Sequence, residues 1–511
     1  MERPSPIATA TNDSVWGATT ELPQSRRLNR DLEVDVCVIG GGISGITTAY
    51  LLAKAGRKVV LLDDGPLASG MTHVTTAHLS NVIDDRFTNM ERWHGAEKTR
   101  LAAQSHAAAI DFIQQVSNGL GIDADFERLD GYLFAAPDDS EEMLQREFEA
   151  AQRAGVEVEW AENVPFSSGE ARRCLRFPNQ ARFHPFKYLA GMANAYKKLG
   201  GKVFTNSHAD SVEGGDEAVV KVNGHEVKAK SIVVATNSPI NDMVAMHTKQ
   251  APYMTYVVGA RVPRGAVEDA LYWDTLHAYH YVRLQPLDDD DDLLIVGGED
   301  HKSGQADDAD ERHQRLIEWA RERFPIGEIE YTWGGQCMET MDGLAFIGRN
   351  PLDKENVYIV TGDSGMGITH GTIAGMLLCD LILNRENPWA ELYDPSRKTV
   401  AAAGPFLKEN LNVAGQYLDW VTPGEVSSVD EIEPGHGAVV RRGMTKIAAC
   451  RDDSGKLTEV SAVCPHLGCI VHWNNAERSW DCPCHGSRFH ADGEVVNGPA
   501  NVILAPVEAE E

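Results

Sequence analysis

The chain has 511 residues and a net charge of −29, with 76 Asp and Glu against 47 Lys and Arg. That excess disfavours nucleic acid and anionic membrane surfaces as partners, and the length predicts two or three cores rather than one. No apolar run reaches the length of a bilayer span, and the polar start MERPSPIATATNDS lacks the apolar core of a secretory signal, so a cytoplasmic protein without a membrane span is expected.

Residues 1–30 are polar and turn-rich, and are expected to form an arm lying on the surface. From Val34 the text becomes VDVCVIGGGISGITTAYLLAKAGRKVVLLDDG: an apolar strand, a glycine turn, a helix of small residues and a second strand ending in acid. Gly40, Gly42 and Gly45 keep the Gly-x-Gly-x-x-Gly spacing. In that spacing the first glycine allows the tight turn, the second admits a pyrophosphate and the third lets helix and strand pack closely. Asp63 ends the second strand, where a carboxylate can bond ribose hydroxyls, and the adjacent Asp64 is the alternative. The next stretch, PLASGMTHVTTAHLS, is rich in Gly, Ser and Thr and brings no further apolar strand. Together these segments resemble flavoproteins of the D-amino acid oxidase and glycine oxidase superfamily. The resemblance implies non-covalent FAD with Gly70, Thr72, Thr75 and Thr76 against it. It makes His73 and His78 polar neighbours, with covalent flavin attachment through either as the alternative.

Residues 86–180 read as mostly helical and charged, with EEMLQREFEAAQRAG at helical spacing after the strand GYLFAA. FHPFKYLAGMANAYKKLGGKVF reads as helix then strand, and AVVKVNGHEVKAKSIVVAT as a hairpin leading into a buried strand. In the superfamily these segments return the chain to the nucleotide domain, and Val203 and Ala235 match positions near the adenine half. YMTYVVGARV, HAYHYVRLQP and DLLIVGGED predict an antiparallel sheet between 251 and 349, followed by the amphipathic helix DERHQRLIEWARERF. Tyr279, Tyr281 and Arg283 alternate along one strand, and an aromatic pair beside a guanidinium is suited to hold a substrate carboxylate. The acidic run 288–292 is expected to be a solvated loop rather than a calcium site. In WGGQCMETMDGLAFIGRN, residues Gly334, Gly335, Thr340, Asp342 and Gly343 resemble the family segment that returns to the flavin ring.

VYIVTGDSGMGITHGTIAGMLLCDLIL again joins a strand to a helix through glycines, but no second strand with a terminal acid follows, so a nicotinamide site is not supported. It resembles the superfamily's C-terminal flavin motif, and this implies that Gly365, Gly367, Ile368 and Thr369 bring the positive end of a helix to the flavin. After Leu383 the composition shifts to Pro, Ala and charge, with a helix expected in AAAGPFLKENLNVAGQYLDW, and from Ile432 onward only short strands and turns are predicted.

CPHLGCIVHWNNAERSWDCPCHGS concentrates four cysteines and three histidines. Cys464 with His466 and Cys482 with His485 make two hooks, each offering one thiolate and one imidazole, which suits a binuclear site with two Cys on one iron and two His on the other. A tetrahedral zinc site competes, but zinc fingers pair Cys with Cys and His with His, whereas each hook here is mixed. The segment resembles a Rieske 2Fe-2S domain. The resemblance implies a disulfide between Cys469 and Cys484, and a loop at Gly498 and Pro499 covering the cluster. It also implies a Ser487 hydroxyl bonded to the cluster's sulfurs, with Phe489 standing where bc-type relatives carry tyrosine. The other cysteines, Cys37, Cys174, Cys337, Cys379 and Cys450, are expected as buried thiols.

The expected fold is an α/β FAD-binding Rossmann-like domain with an inserted antiparallel α+β substrate domain, plus a C-terminal all-β Rieske domain. Its expected division is an arm, 1–30, an FAD domain from 31–85, 181–250 and 350–385, and a substrate domain from 86–180 and 251–349. A linker, 386–424, and the Rieske domain, 425–511, complete it. The combination implies a flavin-dependent oxidoreductase that oxidises an amine or amino acid and passes electrons through the fused cluster to an external acceptor. The alternatives are a substrate-free electron-transfer or redox-sensing flavoprotein, and an NADH-dependent reductase feeding an oxygenase.

Overall fold

The computed structural model describes residues 10, 13–136, 139, 141–166, 173–241, 246–306 and 308–507. The run VDVCVI forms the strand Leu32–Ile39, and its apolar side chains find cover on both faces. Val36 and Val38 join one buried cluster, and Cys37 and Ile39 another on the opposite side. Only a parallel strand sandwiched between layers buries both faces in this way. It lies at the centre of an eight-stranded sheet, between His225–Val234 and Val59–Leu62, and pairs parallel with both. Lys202–Phe204 extends one edge and Val357–Thr361 the other. The hairpin that feeds His225–Val234 turns at Asn223 and Gly224, both at positive φ (52° and 80°), the geometry that an Asn-Gly pair adopts most readily. Phe346–Arg349, expected with the substrate sheet, instead pairs with Val357–Thr361 at the edge of the nucleotide sheet.

The second sheet has nine strands, built chiefly on the long antiparallel strands Gln250–Pro263, Asp291–Lys302 and Ile329–Thr340. It is mixed rather than purely antiparallel, because Leu271–Asp274 pairs parallel with Glu127–Phe134. The helix Phe87–Leu120 is broken at Gly95 (φ 77°) and stopped by Gly121 in the left-handed region.

The N-terminal arm is corrected by the structure. Val15–Thr19 is helical, Trp16 is wholly buried and Leu28 almost so, and the Trp16 indole donates to the Thr75 carbonyl at 2.6 Å. An aromatic ring with a distant hydrogen-bond partner wins over the polar composition around it.

The C-terminal module holds a three-stranded and a four-stranded antiparallel sheet. It is docked on the rest of the chain. Asn474 donates to the Tyr256 hydroxyl at 3.4 Å, Asn501 to the Ala209 carbonyl at 2.9 Å, and Gln305 to the Pro483 carbonyl at 3.2 Å. From the linker helix Ala403–Gln416 the chain runs into Tyr417–Trp420, whose side chains donate to the Leu467 and Gly468 carbonyls at 2.8 Å each.

Candidate active site and metal centre

A cavity of about 960 Å³ runs from the carboxyl end of the central strand to the second sheet. Its first wall is the glycine turn. Gly40 has φ 102°, and a Cβ there would collide with the Ala235 carbonyl, while one at Gly45 would collide with the carbonyl of Gly40. A Cβ at Gly42 would meet only Thr72, 3.0 Å from its hydroxyl, so the cavity side of Gly42 is clear. Thr72 accepts from the Ile43 N–H at 3.2 Å, and Asp63 accepts from Gly41 and Gly65 N–H at 2.5 and 2.9 Å. Burial, aided by Asp64 and opposed by those two N–H groups, pushes Asp63 up to about 7. Gly70, Thr75, Thr76 and Ala235 also line the cavity. Val203 does not. It sits in a three-residue strand opposite Leu61, and the wall beyond is made by Ser207, His208 and Ala209 after the chain has left the sheet.

At the far end, the helix Gly367–Ile382 begins with no side-chain cap, and Gly365, Gly367 and Ile368 line the cavity. Uncapped N–H groups at a helix start attract negative charge. Thr369 and Gly343 are off the cavity wall. Thr369 turns its hydroxyl to His106, 2.8 Å away, and Gly343 lies in a turn (φ 73°) facing Asp85. Gly335 and Thr340 line the cavity, whereas Gly334 backs onto Glu477 and Asp342 is ion-paired with Arg397 at 2.7 Å.

Tyr279 and Tyr281 face the cavity with ring centroids 5.4 Å apart, bonded to Asp84 at 2.6 Å and Thr255 at 2.7 Å. Arg283 is not with them. It is wholly buried and donates to the carbonyls of Ala77 (2.8 Å), Phe183 (3.1 Å) and Thr76 (3.3 Å), so the segment it anchors walls it off from any substrate. His73 lies 2.5 Å from Asp13 and off the cavity wall, whereas His78 lines the cavity and burial holds it neutral, down at about 3.

The two Cys-His hooks are brought together by loops that each close on themselves. Cys464 N–H donates to the Cys469 carbonyl and Cys482 N–H to that of Ser487, both at 2.8 Å. The Cys464 and Cys482 thiols lie together in one buried cluster, and the His466 and His485 rings stand perpendicular at 5.0 Å. Backbone N–H groups of His466 and Leu467 and the Ser487 hydroxyl point at the Cys464 sulfur, and those of Cys484 and His485 at the Cys482 sulfur. Burial, with His466 and His247 alongside, keeps His485 neutral at about 3, the form that binds a metal. A disulfide joins Cys469 to Cys484, with Cα atoms 6.4 Å apart.

The FAD dependent oxidoreductase (DAO) profile matches residues 35–381. The chain belongs to this family. A Rieske 2Fe-2S domain profile matches residues 422–508. A Bacillus subtilis (strain 168) protein described as a Rieske 2Fe-2S iron-sulfur protein, YhfW, is 31% identical over 501 residues, 97% of each chain. Gamma-glutamylputrescine oxidoreductase of Escherichia coli (strain K12) is 27% identical over 70% of this chain and 85% of its own. Among solved structures, glycine oxidase from Geobacillus kaustophilus superposes with a TM-score of 0.61 at 17% identity, covering 72% of this chain and 99% of its own.

The residues fit both cofactors of a DAO-family flavoprotein with a Rieske domain. Gly42 leaves a cradle that would take a pyrophosphate, Asp63 on the cavity wall could bond a ribose, and the start of Gly367–Ile382 can answer a reduced flavin's charge. Two buried thiols beside one buried and one half-buried imidazole, ringed by N–H donors, are the donor set of a Rieske cluster. Sequence reading missed the acids of the cavity wall, Asp84, Asp85, Asp300, Glu339 and Asp363. It also missed Gln336, which lines the cavity and donates to the Gly486 carbonyl next to His485 at 3.0 Å. For the acids a signal existed: each interrupts apolar strand or turn text, in IDDRF, GGEDH, METM and TGDSG.

Proposed function

We propose that this flavoprotein dehydrogenates an amine or amino acid at the carbon beside nitrogen and discharges its electrons through the fused cluster to an external acceptor. The observation that carries the reading is the shared wall. Asn497, Gly498 and Ala500 of the Rieske module line the flavin cavity, and Gln336 joins that cavity to the loop of His485. Asn497 completes the junction by donating to Gln336 at 2.9 Å. Bound FAD would accept a hydride and the cluster would take its electrons one at a time.

The chain's own residues do the rest. An ammonium must lose a proton before its carbon can give up a hydride, and the wall carboxylates nearest the Gly365 turn, Asp84 and Asp363, are placed to receive it. The tyrosine pair and the sheet keep water from the reacting carbon. Anaerobic mixing of the purified protein with a panel of amines and amino acids tests the reading. At least one member should bleach the flavin, and a panel-wide failure, or rapid bleaching by NADH alone, would overturn it.

A further inference from the structure

Five carboxyl groups line one end of the flavin cavity: Asp84, Asp85, Asp300, Glu339 and Asp363. None of them forms a salt bridge among the described residues, although the neighbours of two of them do: Glu299 pairs with Arg315 and Asp342 with Arg397. Among the described residues, the cavity wall holds no lysine and one arginine, Arg86, beside Asp85. Arg283, the natural anchor for a substrate carboxylate, is spent on backbone carbonyls.

The five groups also do not converge. Among the described residues no trio of carboxylate oxygens comes close enough to grip a metal ion, the one such group being Cys482 with the disulfide pair Cys469 and Cys484. Asp84 and Asp363 lie against the turn that starts the flavin helix, Asp300 comes from the strand Asp291–Lys302 and Glu339 from Ile329–Thr340. Asp300 keeps a buried oxygen with no partner. Between these acids stand Tyr279 and Tyr281, whose ring faces attract ammonium groups.

Building on the amine-dehydrogenase reading above, we infer that the substrate is a multiply charged amine, a chain with a second ammonium remote from the oxidised carbon, and not an α-amino acid. One ammonium would sit among Asp84, Asp363 and the tyrosines, the other toward Asp300 and Glu339. Half-buried acids with no salt bridge among the described residues penalise the unliganded protein, and a dication removes that penalty, so charge number is the selectivity filter. Oxidation balances as the loss of one proton to a carboxylate and of a hydride to FAD, leaving an iminium that water hydrolyses outside the flavin step.

The test uses the full-length holoprotein under anaerobic conditions with 1,4-diaminobutane, n-butylamine, glycine and L-proline, following flavin bleaching. Half-saturation by 1,4-diaminobutane should be at least tenfold lower than by n-butylamine. Glu339→Gln and Asp300→Asn, checked for retained FAD, should each cut that ratio severalfold. In the wild type, 1,4-diaminobutane should also raise Tm more than n-butylamine at equal concentration, a readout that needs no turnover and no variant. Glycine or L-proline acting as well as the diamine would overturn the inference while leaving amine and amino acid dehydrogenation standing. Equal response to diamine and monoamine, or silence from all four, would overturn it too, whereas silence from the whole panel would remove both readings.

Discussion

Asp84 shows what single residues contribute here. Burial, reinforced by Asp85, Asp300 and Asp363 and opposed by the Tyr279 bond, pushes it from 3.8 up to about 7. A carboxyl that holds its proton more tightly folded than unfolded costs nothing below pH 4 and most above pH 7, so its contribution to stability falls as pH rises through that window. Asp84→Asn should therefore stabilise the protein by about 1–2 kcal/mol at pH 8 and by almost nothing near pH 4. Denaturant titrations at the two pH values check this, and a variant less stable at pH 8 would mean that the charge is answered. Gly42→Val should abolish FAD retention, read as loss of flavin absorbance after gel filtration, because the branched side chain fills the cradle facing Thr72. At the cluster, the family resemblance implies that the Ser487 hydroxyl donates to sulfur; its oxygen accepts from the Ala500 N–H at 2.9 Å, while Phe489 is wholly buried in the core of the module. Such donors favour the reduced state, so Phe489→Tyr should raise the potential and Ser487→Ala should lower it, within a family range of roughly −150 to +300 mV. Protein-film voltammetry decides, and an unchanged or lower Phe489→Tyr potential would show that the new hydroxyl reaches no sulfur.

The segment Val74–Ala77 shows what elements can and cannot reveal in sequence. Four successive carbonyls accept from distant side chains: Val74 from Trp333 at 2.9 Å, Thr75 from Trp16 at 2.6 Å, Thr76 and Ala77 from Arg283 at 3.3 and 2.8 Å. The glycine turn and the terminal acid were legible because their chemistry is local, fixed by spacing along one strand-turn-helix unit. Donors brought from residues 16, 283 and 333 are not local, which is why Trp16 read as surface and Arg283 as a substrate anchor. Val203, matched to the adenine half by resemblance, sits inside the strand Lys202–Phe204 and off the cavity wall. Trp16→Ala should cost about 3–5 kcal/mol, measured by denaturant unfolding. Arg283→Lys should lower stability as well, since the three N–H groups of an ammonium cannot replace a guanidinium fork that serves four carbonyls and the Gln285 amide oxygen, while leaving half-saturation by amines unchanged. A rise in that half-saturation at constant stability would return Arg283 to the substrate site.

At the scale of the whole molecule, the fused module is seated and not merely tethered. His247 packs edge-on against both ligand histidines, 4.8 Å from His466 and 5.8 Å from His485, and Gln336 and Asn497 meet over the Gly486 carbonyl at 3.0 and 3.1 Å. The two Cys-His hooks were readable because cysteine and histidine spacing encodes them directly; the docking face was not, since it is written in Gln, Asn and His scattered over three elements. No helix among the described residues is long and apolar enough to cross a membrane. The account as a whole rests on electrons from one substrate reaching both cofactors, and rapid-freeze EPR with parallel absorbance, after anaerobic mixing with the amine that best bleaches the flavin, measures this directly. The account predicts that flavin bleaching is followed by a reduced Rieske signal in the wild type, and that His466→Ala bleaches equally with no signal. A bleached flavin beside a cluster that stays oxidised, or zinc in place of iron, would contradict it.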